Sequence, residues 1–296
     1  MKYIGMNGVL TDAAAAVVHV SDHGFLYGMG LFETFRTYNG LPFLLDRHLR
    51  RMSEGCRMLG ISFETDEKEL AELISRLMKA NGLVDAYIRY TVSAGEEAFG
   101  LPSGGYSRPN HVLFARALPP LSLDPAAKRS KALYLLHTRR STPESGVRLK
   151  SLHYMNNIMA KRELAQYEGA SPLPAEGLML TADGFLCEGI VSNVFFVKDG
   201  VLHTPELSTG ALGGITREFV LELARSSGIH ALEGLYVWND LLEADEVFLT
   251  GSVQEIAPVT RLVEPYGEGR QVGGGQYGPV TEHLLKVYHQ KAGVKV

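Results

Sequence analysis

Arg148 to Leu164 reads RLKSLHYMNNIMAKREL, and the interpretation of the whole chain turns on this stretch. An irregular run containing Pro, Gly and Ser precedes it, an apolar-periodic segment follows, and Lys150 stands at the junction, with a helix predicted after it. A lysine in such a place ordinarily points to solvent, because an ammonium is seldom buried without a partner. The alternative is a Schiff-base lysine, whose amine must lose its proton and reach an aldehyde carbon. Partial burial and a neighbouring cation such as Arg148 both favour proton loss. That alternative requires a carbonyl cofactor, so other parts of the chain must supply its seat.

Two segments are suited to do so. GALGGITRE, Gly210 to Glu218, is a glycine-rich turn running into a predicted helix N-terminus. Free backbone N–H groups and the positive end of the helix dipole there form a phosphate cup, with the Thr216 hydroxyl as an added donor. The same pattern also serves as a plain connector, and it matches neither a Walker A loop nor a GxGxxG fingerprint. LCEGIVSNVFFV, Leu186 to Val197, sets Glu188 among apolar residues at a strand end or turn. Such a glutamate is either an ordinary exposed turn residue or a buried carboxylate in need of a partner. A protonated pyridine nitrogen is one suitable partner, since the pair keeps the ring able to accept electrons.

The rest of the chain alternates strands and helices. Asn7-Gly8 between short apolar stretches signals a hairpin, and a further apolar stretch runs from Ala13 to Val20. A helix is predicted from Asp66, capped by Asp66 and Glu69, carried by Leu70, Leu73, Ile74, Leu77 and Met78, and stopped at Asn81-Gly82. Strands are predicted at Ala86 to Ser93, His111 to Leu118, Lys131 to Thr138 and Glu246 to Thr250. Hairpins are expected around Ala182-Asp183-Gly184 and Asp199-Gly200, and helices at Ile215 to Ser227 and Val280 to Lys291. PPLSLDPAAKRS, residues 119–130, breaks the pattern with three prolines and reads as a linker. The fold class is therefore α/β or α+β, with an N-terminal domain over 1–118 and a C-terminal domain over 131–296.

Composition narrows the function. A chain of 296 residues with 45% hydrophobic residues can bury a sizeable core, and a net charge of −4 leaves no basic surplus for a nucleic-acid partner. No long apolar run suggests a membrane span, and a cytoplasmic protein is the simplest expectation. Cys56 and Cys187 lack metal-site or disulfide spacing and are expected as reduced thiols in or near the core.

Taken together, the segments resemble fold-type IV pyridoxal-phosphate enzymes, the class IV aminotransferases. HGFLYGMGLFETFR (His23 to Arg36), LDRHLRRM (ending at Met52), RLKSLHYMNNIMAKRE, EGIVSN, GALGGITRE and TGSVQEIAPVTR occur in the family's order, so the resemblance runs from about Asn7 to about Thr260. It implies a two-domain fold like that of D-amino-acid aminotransferase, with pyridoxal 5'-phosphate as cofactor and Lys150 as the lysine that bears it. Glu188 would partner the pyridine nitrogen and Leu212 would pack on the ring. Arg51, by HxxR spacing from His48, would bind the phosphate with Ile215, Thr216 and Ser252. Tyr154 matches, with a one-residue ambiguity, a tyrosine near the cofactor's phenolic oxygen. The resemblance also implies a homodimer acting on a small-molecule substrate.

Within the family, the wording of these segments is more similar to aminodeoxychorismate lyases than to aminotransferases. A lyase of this kind releases 4-aminobenzoate, a folate precursor, and pyruvate; the alternative is transamination of branched-chain or D-amino acids. The D-amino-acid enzymes carry a carboxylate-binding arginine where this chain has Ala94, which disfavours that branch. Arg89 in AYIRY is a candidate for the substrate carboxylate, or else a strand-edge ion-pair residue. Substrate choice is expected to lie in the loops Glu96 to Tyr106 and Ser141 to Gly146.

Overall fold

A computed structural model describes residues 1–118, 130–167, 173–265, 267 and 269–294, so the expected linker lies, Ser130 apart, outside the described residues. The chain divides into two compact units, one of Met1–Pro120 with Leu149–His153, the other of Leu121–Arg148 with Tyr154–Val296. The excursion of five residues carrying Lys150 into the first unit is a feature that sequence patterning does not display.

The first unit is built on β1 (Tyr3–Met6), β2 (Val9–Asp12), β3 (Gly30–Tyr38), β4 (Leu41–Pro42), β5 (Ala86–Ser93) and β6 (Asn110–Ala117). They form an antiparallel sheet in the order β2-β1-β6-β5-β3-β4. Asn7 and Gly8 turn β1 into β2 at φ of 50° and 82°, the primed turn that an Asn-Gly pair favours. The apolar stretch that follows is no strand: Val17, Val18 and Val20 are exposed in a loop. A short α1 (His23–Tyr27) leads into β3, and α2 (Leu45–Met58) and α3 (Glu67–Ala80) cover the sheet. Asp66 caps α3, its Oδ1 accepting from the Lys68 and Glu69 N–H groups at 2.9 and 3.0 Å. Met52, Cys56, Ile74 and Leu77 of these helices meet Leu31, Phe35, Ile88, Val92 and Leu113 of the sheet in one core.

The second unit contains β7 (Lys131–Leu135), α4 (Met155–Leu164), β8 (Ala175–Leu180), β9 (Leu186–Gly189), β10 (Asn193–Lys198) and β11 (Val201–Pro205). It continues through α5 (Ile215–Ser226), β12 (Ala231–Gly234), α6 (Trp238–Leu242), β13 (Glu246–Gly251), β14 (Glu255–Val263), β15 (Gly269–Gln271) and α7 (Pro279–Lys291). Its strands run in the order β12-β11-β10-β13-β14-β7-β8-β9, with β15 on β14. The pairs β7–β8, β7–β14 and β11–β12 are parallel, and the rest of the ladder is antiparallel. NVFFV in β10 and EVFLT in β13 are buried throughout, so their apolar runs are continuous rather than alternating. Leu133, Val194, Phe196, Leu249 and Val259 pack with Trp238 and Leu241, while α5 and α7 lie on β13 and β14.

Candidate active site

In the first unit, the Lys150 segment is laid along β3. The Phe32 N–H donates to the Lys150 carbonyl at 2.9 Å, and the Leu152 N–H donates to the Gly30 carbonyl at 3.0 Å. Glycine makes this possible: a Cβ on Gly30 would stand 2.6 Å from the Val92 carbonyl oxygen and 2.8 Å from a Leu152 methyl. A Cβ on Gly28 would stand 2.4 Å from the His153 ring. The Lys150 Nζ comes to rest 4.7 Å from the centre of the Phe32 ring, and the Arg89 guanidinium carbon lies 3.7 Å from the same centre. Lys150 and Arg89 thus share one aromatic neighbour, and Arg89 Nε also donates to Thr91 Oγ1 at 3.2 Å.

Arg51 is held by a residue that sequence reading did not single out. Its Nε and Nη2 donate to Glu33 Oε1 and Oε2, each at 2.7 Å, and His48 Nδ1 stands 2.6 Å from Glu33 Oε2. Glu33 and His48 are 2% and 1% exposed, so this is a buried triad with only Arg51 reaching outward. Burial acts to raise the Glu33 carboxyl, but the charge of Arg51 and the contact with His48 outweigh it and bring the carboxyl down to about 2. Burial lowers the His48 imidazole, against the pull of Glu33, and the charges of Arg51 and Lys150 act in the same downward direction. A neutral His48 donating Nδ1–H to Glu33 satisfies all of these. The available signal was a lone acid inside the apolar strand segment LFETFR.

In the second unit, Glu188 is 5% exposed at the end of β9, which settles it as a buried carboxylate rather than an exposed turn residue. Its Oε1 accepts from Arg140 Nε at 2.6 Å and lies 3.9 Å from Arg148 Nε; its Oε2 accepts from the Leu212 N–H at 2.9 Å. Arg140 is steadied in turn by Asn156 Oδ1 at 2.8 Å. Arg148, expected to assist Lys150, instead sends its side chain to the Gly210 and Ser141 carbonyls beside Glu188. Burial, and then the charge of Arg140, lower its proton affinity, while Glu188 opposes them. Arg140 was missed because nothing in HTRRST distinguishes it from its neighbour Arg139. Burial and the adjacent Glu188 push the Cys187 thiol up to about 12, so it is no nucleophile, and both cysteines are free and buried as expected.

The glycine turn at Gly210–Gly214 is clamped at Leu212, whose N–H goes to Glu188 and whose carbonyl accepts from Asn193 Nδ2 at 2.8 Å. A Cβ on Gly214 would fall 2.1 Å from Asn193 Oδ1, so a side chain where α5 begins would displace the amide that holds the Leu212 carbonyl. Among the described residues, no side chain caps α5. Thr216 Oγ1 lies 3.4 Å from Ser252 Oγ, which joins the helix start to the β13–β14 hairpin. Buried close by in the ladder, Thr250 Oγ1 has no partner among the described residues, and neither has Ser192 Oγ next to Asn193. Uncapped N–H groups and hydroxyls in this arrangement have the chemistry to receive an anion. Ile215 is buried at the first position of α5.

Tyr154 stands at the start of α4 and lines a cavity of about 370 Å³ with Asn157, Ile158, Leu164, Ile190 and Val191. The structure thus gathers Glu188, Leu212, Ile215, Thr216 and Ser252 into one neighbourhood of the second unit, and in the first it sets Lys150 beside β3, Arg51 on α2 and Arg89 on β5. Among the described residues no group of His, Cys, Asp or Glu could hold a metal ion.

The amino-transferase class IV family model matches residues 30–262. The chain is 41% identical to the aminodeoxychorismate lyase of Bacillus subtilis, over 97% of this chain and 94% of that protein. It is 33% identical to a branched-chain-amino-acid aminotransferase of Pseudomonas aeruginosa, over 96% of this chain and 91% of that protein. Among solved structures, the 4-amino-4-deoxychorismate lyase from Pseudomonas aeruginosa superposes with a TM-score of 0.79 at 30% identity, covering 97% of this chain and 98% of that one. With the family model matched over residues 30–262, a span that includes both clusters of candidate residues, the chain belongs to the class IV aminotransferases.

Proposed function

We propose that this enzyme is a pyridoxal-phosphate-dependent lyase that converts 4-amino-4-deoxychorismate to 4-aminobenzoate and pyruvate, a step of folate synthesis. The observation that carries the proposal is the 41% identity, sustained over 97% of the chain, to a protein of that activity. The residues fit the cofactor: an uncapped helix start with Thr216 and Ser252 suits its phosphate, and a buried Glu188 braced by Arg140 suits its pyridine nitrogen. When bound, pyridoxal phosphate supplies an aldehyde that captures the substrate's amine and a ring that draws electrons from the adjoining carbon.

The chain's own groups do the rest. Arg51, aimed by Glu33, would hold the phosphate together with Ile215, Thr216 and Ser252, and Leu212 would pack on the ring. Lys150 would bear the cofactor at rest and, once displaced by the substrate's amine, take the proton from the amino-bearing carbon. Loss of that proton lets the enolpyruvyl oxygen leave; reprotonation of the three-carbon fragment gives pyruvate, and the six-membered ring becomes aromatic. Arg89 would face a substrate carboxylate, and Tyr154 the phenolic oxygen of the cofactor.

The proposal includes a homodimer in the cytoplasm. Exposed Met155, Ile158 and Met159 on α4 give an apolar face suited to association, and two free thiols accord with a reducing compartment. Transamination of branched-chain amino acids is the second reading, supported by the 33% identity to an aminotransferase. Purified enzyme supplied with 4-amino-4-deoxychorismate, made in place from chorismate and glutamine by a partner synthase, should form 4-aminobenzoate, and Lys150→Ala should form none. Exchange of amines between amino and keto acids by cofactor-loaded enzyme, with no 4-aminobenzoate formed, would establish the second reading instead.

A further inference from the structure

Glu255 opens β14 with a backbone φ of 61°, in the left-handed region that favours glycine, and it is fully buried. A buried ionisable residue in a costly backbone conformation persists only where its surroundings over-determine it, and such residues concentrate at functional sites. The conformation here belongs to the β13–β14 hairpin: Gly251 pairs with Glu255, and Ser252, Val253 and Gln254 form the tip between them. Ser252 is the residue of that tip whose hydroxyl meets Thr216 at the start of α5.

The Glu255 side chain is fixed from 34 positions away. His289, in the last turn of α7 and 3% exposed, places Nε2 at 2.8 Å from Glu255 Oε2, and a carboxylate there accepts the imidazole N–H. Helix α7 is itself pinned at its other end. Glu246, the first residue of β13, accepts from the Val280 and Thr281 N–H groups at 2.9 and 2.7 Å and from Thr281 Oγ1 at 2.6 Å. A helix of 13 residues rises about 20 Å and a strand of six about as far, so α7 runs the length of the hairpin, fastened at its base by Glu246 and at its tip by His289. Phe219 of α5 meets Tyr288 of α7 edge-on at 5.5 Å, tying the phosphate-cup helix into the same assembly. His289 lies beyond residues 30–262, the span matched by the family model, so this fastening is supplied by the chain's own C-terminal helix.

We infer that His289 is a positioning residue for the cofactor phosphate: through Glu255 it holds the hairpin tip so that Ser252 stands at the mouth of α5 beside Thr216. This rests on the proposed phosphate role of Ser252 and Thr216. The test is titration of cofactor-stripped enzyme with pyridoxal phosphate and, separately, with pyridoxal, followed by visible absorption, together with the thermal midpoint of the stripped protein.

The parent should bind pyridoxal phosphate much more tightly than pyridoxal. His289→Ala should weaken pyridoxal phosphate binding about 10-fold, the scale of one lost hydrogen bond to a charged group, while leaving pyridoxal binding unchanged. His289→Gln, which restores an N–H donor, should recover part of that loss. Glu255→Gly should also weaken phosphate recognition although glycine is at ease at this φ, because the anchoring carboxylate is gone. If His289→Ala and Glu255→Gly lower the thermal midpoint yet keep the parent's preference for the phosphorylated form, the pair is merely structural and the inference is overturned. If the parent itself shows no preference, the fault lies with the phosphate reading of Ser252 and Thr216.

Discussion

Glu33 and Glu188 are both buried carboxylates gripped by arginine, yet they are gripped differently. Glu33 is closed: a two-pronged Arg51 and His48 take both of its oxygens, and its exposure is 2%. Glu188 is met from one side by Arg140 through a single nitrogen, with Arg148 standing off at 3.9 Å, and its second oxygen takes the backbone N–H of Leu212. Three donors converge on Glu33 and two on Glu188, and a carboxylate offers about four acceptor sites, so Glu188 retains the larger acceptor capacity. The comparison separates two jobs: Glu33 spends its charge on aiming an arginine, whereas Glu188 keeps the capacity to serve a ligand.

Breaking this comparison at Glu188 should have the largest effect on the reaction. Glu188→Gln keeps the shape but removes the charge that would serve the pyridine nitrogen in the proposed reaction, and kcat should fall about 100-fold in variant enzyme that remains folded. Steady-state kinetics with cofactor in excess checks this, and an unchanged kcat would move the pyridine nitrogen's partner elsewhere.

Glu33→Gln should do the reverse, with stability as the main casualty. A carboxyl that falls from its ordinary 4.5 to about 2 on folding contributes about 3 kcal/mol to stability. Because the folded value is the lower one, that contribution is complete above about pH 4.5 and is lost as the pH falls from there toward 2. Denaturant titrations at pH 7 should show Glu33→Gln less stable by about 3 kcal/mol, and the variant should lack that portion of the parent's acid-induced loss. Equal acid sensitivity in the two proteins would place the charge elsewhere.

Ser252→Ala should give the smallest change. It removes one hydroxyl from the proposed phosphate cup, which keeps the start of α5 and Thr216, so pyridoxal phosphate should bind about 10-fold more weakly, the scale of one hydrogen bond to a charged group. Spectroscopic titration reads that change directly.

What could be read from sequence follows the range of the interactions involved. The Asn7-Gly8 turn, the Asp66 cap and the stop at Gly82 are decided by residues within a few positions of one another, and each is where patterning puts it. Helix α2 has no such signal, since Leu44 precedes it in a left-handed conformation without a capping side chain. The glycine turn and Glu188 could be singled out as candidates because each is odd in its local setting. Their bracing could not: Arg140 reaches Glu188 across 48 positions, Glu33 reaches Arg51 across 18, and His289 reaches Glu255 across 34. Arg148 illustrates the hazard of sequence proximity, for it is two residues from Lys150 and its side chain is committed to Gly210 and Ser141.

The five-residue excursion of Leu149–His153 also governs how the molecule can be dissected. A fragment cut within residues 119–130 and ending there would carry all six strands of the first sheet and both of its long helices, yet it would lack Leu149 from its core and the backbone partners of Phe32 and Gly30. It would also lack the lysine. The remaining fragment would hold Lys150 on a segment deprived of the strand that orients it. Neither piece would keep the pairing of residues 149–153 with β3, and shuffling between relatives should therefore exchange residues 149–153 together with β3 rather than cut at the proline-rich stretch alone.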